Sequence, residues 1–149
     1  MCLAMSALNF SASLAATEDP HRATKPDALL NRMAKVDMFA FGGVGFGSAT
    51  SEGEKDYRTL LSRPSAEADF ERLFAVGNPQ AKCYALVGLR QMNPKRSEAL
   101  ATSLQSSGIA VHVMRGCVMS KDPMSQIIKS IRAGIYSGPV TRDKIPPTH

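Results

Sequence analysis

Four glycines in six residues, Gly42, Gly43, Gly45 and Gly47 of "FAFGGVGFGSATSEGEK" (Phe39 to Lys55), stand just ahead of a helix start. Glycine loops in that position cradle phosphates, because bare backbone N–H groups converge where the helix dipole favours an anion. A Walker-type loop requires G-x-x-x-x-G-K-[ST]. Gly42 and Gly47 meet the glycine spacing, but Ser48 and Ala49 occupy the places of the lysine and the hydroxyl. The dinucleotide pattern fails too, since Gly43, Gly45 and Gly47 run G-x-G-x-G and no β-type run precedes them. Glu52 and Glu54 already sit at the favourable end of the next helix dipole, so a phosphate there meets like charge. No cofactor is therefore expected. Phe39, Phe41, Val44 and Phe46 instead predict an aromatic–glycine turn laid against the core.

Nucleophilic chemistry would fall to Cys117 and His112, five residues apart. Within hydrogen-bond reach of each other they would form an activated thiolate, with Arg115 available for an anionic group. A small cysteine-dependent envelope enzyme built on that pair is the alternative reading of function. The favoured reading is structural: once Cys2 leaves with a leader, Cys83 and Cys117 are an even pair and the candidates for one disulfide. No catalytic residue is assigned outside the alternative, and no metal, since no two pairs of His, Cys or acidic residues show ligand spacing. Acids two apart, such as Glu52/Glu54 and Glu67/Asp69/Glu71, diverge on a helix and predict solvated faces.

Charge bears on partners. The net charge is +5, with ten acids against seven bases over residues 1–71 and three against eleven over 72–149. The bases of the second half are spread out rather than run together, which does not favour nucleic acid. Arg90, Arg96 and Arg115 are the candidates to face an acidic patch on a protein partner. No apolar run approaches the roughly 20 residues of a membrane-spanning helix.

The positioning elements follow from periodicity and caps. Residues 1–16, uncharged and rich in small residues, with Ser13-Leu14-Ala15 as a small-x-small site, predict a signal peptide and a periplasmic or secreted protein. Residues 17–25 predict a linker, 26–136 a single helical domain and 137–149 a flexible tail. A first helix starts at Pro26. Ser51 with Glu54 forms a capping box for a second. Ser65 caps a third, which Gly77 ends as a left-handed residue. Asn78-Pro79 and Asn93-Pro94 start the fourth and fifth, and Pro123 opens the last. The middle of the fourth, "CYALVGL", is apolar nearly all round and predicts a buried central helix. Between the fifth and the last, Ile109, Val111 and Val113 alternate with smaller or polar residues, the one extended segment near 109–115.

Short joints make successive helices antiparallel neighbours. Residues 65–105 resemble helix pairs of the HEAT or armadillo type through helix length and the buried "AKCYALVGL" helix. More broadly, "FAFGGVGF", "TSEGEK", "YALVGL", "GCV" and "IRAGIY" resemble a set of mostly exported bacterial proteins of no assigned activity, which implies a compact bacterial domain outside the cytosol. The expected fold is mainly α: about six helices packed as antiparallel α-α hairpins, HEAT-like, with one short extended segment. The expected function is a non-catalytic exported helical domain that binds another macromolecule, of inhibitor or immunity type.

Overall fold

The computed structural model describes residues 27–136. The expected signal peptide, linker and tail lie outside the described residues.

The fold is α/β rather than mainly α. Six helices, α1 (Ala28–Met33), α2 (Glu52–Leu61), α3 (Ala66–Val76), α4 (Pro79–Met92), α5 (Pro94–Leu104) and α6 (Met124–Arg132), accompany four strands. The strands are β1 (Phe39–Val44), β2 (Ala49–Thr50), β3 (Ala110–Gly116) and β4 (Val118–Pro123), in the order β2-β1-β3-β4. β1 and β3 run parallel at the centre, and β2 and β4 flank them antiparallel. α2 to α5 form the long crossover that a parallel pair requires. The single extended segment expected near 109–115 is thus one strand of four, and the HEAT-like hairpin stack is replaced by helices covering one face of a sheet.

The helices begin where their caps place them. Ser51 Oγ accepts from Glu54 N–H, Asn78 Oδ1 from Ala81 N–H and Asn93 Oδ1 from Arg96 N–H, each satisfying an orphan donor of a first turn. Three helix ends differ from expectation: α1 starts at Ala28 behind an Asp27 cap rather than at Pro26, and both ends of α3 depart. Ser65 makes no capping bond and donates its hydroxyl to Asp69, while Gly77 ends α3 at φ −79°, ψ 157°, extended rather than left-handed. Asn78 also donates from Nδ2 to the Val36 carbonyl, tying the start of α4 to the segment after α1.

α4 is the central element, with Cys83 to Leu89 buried throughout. Two notches seat it, its own Gly88 against α3 and Gly53 of α2 against its Tyr84. A Cβ on Gly88 would lie 2.4 Å from the Phe70 ring, and one on Gly53 would lie 2.7 Å from the Tyr84 hydroxyl. In the space so left, Phe39, Phe41, Tyr57, Phe70, Tyr84 and Tyr136 form one connected aromatic cluster, with centroids 4.9–5.9 Å apart. Such contacts contribute about 0.5–1.5 kcal/mol each beyond the area they bury.

Candidate functional site

The glycine segment is strand and hairpin, not one turn laid against the core. Phe39 is buried and Phe41 half-buried against the aromatic cluster, whereas Phe46 stands fully exposed at the hairpin tip, 106% of its reference area. Gly42 has φ 81°, and beside it β1 takes four steps, Ala40 to Val44, against two on β3, Met114 to Gly116. That bulge would strain a side-chain-bearing residue. The chain then reverses over Gly45–Ser48, with Gly45 at φ 69° and Ser48 at φ 47°.

The outer rim of β1 before β2 begins is completed by side chains. Tyr84 Oη accepts from Ala40 N–H at 3.0 Å and donates to Ala40 C=O at 2.9 Å. Ser51 Oγ donates to the same carbonyl at 3.0 Å. Only the Ser51 half of the expected capping box forms, because the Glu54 carboxylate turns elsewhere: its Oε2 accepts from Gly42 N–H at 2.8 Å, and its Oε1 is held by Arg58. The glycine N–H groups that suggested an anion cradle thus meet a carboxylate the protein supplies itself. Burial pushes the Tyr84 phenol up to about 12, opposed in part by its bond to Ala40.

β3 and β4 join through Gly116-Cys117. Gly116 at φ 57°, with Arg115 opposite Val118, is the arrangement of a two-residue hairpin with glycine first. Gly45 N–H donates to the Gly116 carbonyl at 2.9 Å, binding the two hairpin ends side by side. This end of the sheet carries Phe46, exposed Cys117, and Val118 and Met119 at 67% and 69% exposure.

The residues singled out from sequence do not converge. His112 is exposed on β3, and the three extended steps from it to Arg115, about 10 Å, carry it away from Cys117 in the turn, beyond hydrogen-bond reach. The expected disulfide is absent, for both cysteines are free. Cys83 is buried on α4, its Sγ 3.7 Å from Met124 Sδ and its thiol pushed far up by burial, while Cys117 lies at the turn in solvent.

Each candidate arginine has its own partner. Arg90 donates to the Arg132 carbonyl at 2.7 Å, and Arg96 pairs with Glu71 at 2.7 Å. Arg115 Nη1 lies 2.7 Å from Asp122 Oδ2, an ion contact without hydrogen-bond alignment. Burial lowers the Arg115 pKa, but Asp122 and Tyr136 outweigh it and raise it overall. The three therefore form no common basic patch. The apolar hairpin ends were missed because Phe46 and Val118 look like core residues in a sequence. The available signal was Phe46 between Gly45 and Gly47, with no apolar neighbour to pack beside.

Among the described residues no helix is long and apolar enough to cross a membrane. Compared with known protein families, with curated proteins and with solved structures, the chain matches none.

Proposed function

We propose that this chain is a non-catalytic domain that binds a partner protein outside the cytoplasm, as an inhibitor or immunity-type protein does, through the paired hairpin ends. The observation that carries the reading is the exposure of Phe46, Val118 and Met119 on two tips held together by the Gly45–Gly116 bond. Large apolar side chains gathered at one exposed place mark interaction surfaces, and aromatic residues and Met are enriched at interface centres. Exposed Lys121, two residues from Met119, supplies a cationic flank suited to an acidic partner. Placement outside the cytoplasm rests on the small-residue, uncharged segment 1–16.

Photo-crosslinking tests this. A crosslinking residue placed at position 46 or 118, and at exposed Thr59 on α2 as control, is activated in bacterial envelope extract. The expected result is one adduct of constant mass from 46 and 118 and none from 59. Excess wild-type chain competes it away, and excess Phe46→Ser/Val118→Ser chain does not. Equal labelling from all three positions, or none, overturns the reading.

A further inference from the structure

The sheet face turned away from the helices carries a different chemistry. Val111 and Val113 are buried beneath the helices, so the alternating residues Ala110, His112 and Met114 point the other way. Register then fixes their neighbours. Phe39 pairs with Val113 and Ala40 with Met114, which sets Met38 beside His112. On the other side His112 lies opposite Lys121, and Met114 opposite Met119. Residues directly opposite bring their Cβ atoms to about 5 Å, and diagonal ones to roughly 7 Å, within the span of a methionine. Met38, His112 and Met119 line one shallow depression of about 250 Å³ together with Val113, Ser120 and Lys121, and Met114 stands beside it, opposite Met119.

Three thioethers and an imidazole on one open surface are soft ligands without a carboxylate among them. The nearby acid, Asp122, is buried with Val111 on the helix side, where it meets Arg115. Lys121 is exposed, and its long stem can carry the ammonium away into water. Thioether donors select Cu(I) over Mg²⁺, Ca²⁺ and Mn²⁺, which prefer oxygen. His112 makes no hydrogen bond to another described side chain, so its ring is available as a donor. We propose that Met38, His112, Met114 and Met119 form a surface site for a monovalent soft metal ion, with Cu(I) as its ligand. The site shares Met119 with the partner-binding surface but needs neither Phe46 nor Val118, so the Phe46→Ser/Val118→Ser chain should bind the metal unchanged.

The test uses the full chain with Cys2→Ser and Cys117→Ser, which leaves buried Cys83 as its one thiol. Cu(I) is titrated anaerobically against a chromophoric Cu(I) chelator, and Ag(I) serves as a redox-inert probe in ¹³C-methyl methionine NMR. One equivalent should move the methyl signals of Met38, Met114 and Met119 and leave those of buried Met33 and Met124 in place. Met38→Leu/Met119→Leu and His112→Ala should each weaken binding by more than about tenfold while keeping the melting temperature, since Met-to-Leu conserves volume. Unmoved signals from Met38, Met114 and Met119 overturn the proposal, as does equal affinity in folded Met38→Leu/Met119→Leu. If those substitutions instead abolish crosslinking from position 118 without changing metal affinity, the face is an apolar docking surface and the metal site is refuted.

Discussion

The hydroxyl of Tyr84, on the central helix, both accepts from the backbone N–H of Ala40 and donates to its carbonyl, standing where a neighbouring strand would otherwise pair. Replacing it with Phe leaves the ring contacts and removes both bonds. Ser51 Oγ still serves the carbonyl, so the orphan is the buried N–H, at a cost of about 1–3 kcal/mol. Urea unfolding of Tyr84→Phe should show that loss with an unchanged m-value. A variant as stable as the parent would remove the role assigned to this hydroxyl.

Glu54 is the second such device, a carboxylate 1% exposed that serves Gly42 N–H and Arg58 together. Glu54→Ala should cost more than Glu54→Gln, which keeps an acceptor for Gly42 while losing the charge pairing. An order of about 2 kcal/mol for Ala is expected from an unsatisfied buried N–H. Equal losses in the two variants would show that only the charge matters.

The glycines of the first hairpin separate by cause. Gly45→Val places a branched residue at φ 69°, and Gly43→Val drives a Cβ to 2.9 Å from that of Ser48. Each should lower stability by about 1–3 kcal/mol. Gly47→Ala meets nothing within 4 Å and has no positive φ, so its melting temperature should match the parent. A Gly47→Ala loss as large as the other two would refute this division.

Gly88→Ala presses a methyl group on the Phe70 ring, and overpacking of this kind costs about 1–3 kcal/mol. Phe70→Leu in the same chain should recover part of that loss. A double-mutant cycle measures the coupling, and simple additivity would mean that the notch does not exist for Phe70.

Alkaline pH should unfold the protein as its tyrosines ionise. Burial raises the phenols of Tyr57, Tyr84 and Tyr136, Tyr84 from 10.0 to about 12. A group raised on folding contributes fully below its unfolded value and loses that contribution as pH climbs through the folded one. Stability should therefore fall from about pH 10 upward, by about 1.4 kcal/mol per pH unit for each such group. Tyrosinate absorbance should rise together with loss of helical circular dichroism. Full ionisation in a folded protein would contradict the burial described.

The six described helices are legible in the sequence through apolar periodicity and local caps, most sharply where Asn78-Pro79 and Asn93-Pro94 mark α4 and α5 to the residue. Pro26, Ser65 and Gly77, by contrast, do not play the end roles expected of them. The sheet is not legible. β1 holds two glycines, a composition that reads as turn, and it is a strand because β3 pairs one rim while Tyr84, Ser51 and Glu54 satisfy the other. β4, "VMSKDP", is an edge strand with mostly exposed side chains, so no alternation of apolar residues announces it. The candidate site fails for the same reason. Cys117 and His112 are near in sequence, but extended chain carries them apart, whereas Met38 reaches His112 only through the pairing of β1 with β3.

The order of strands also bears on self-association. β2 ends one rim after two residues, and the rest of that rim is occupied by side chains from α2 and α4. Among the described residues only β4 offers a full strand edge, with Lys121 inside it and Pro123, which has no N–H, at its end. A sheet with a single adhesive border can join one copy of itself and then has nothing left to extend. Edge-to-edge growth through the described strands therefore stops at two, which works against a fibre.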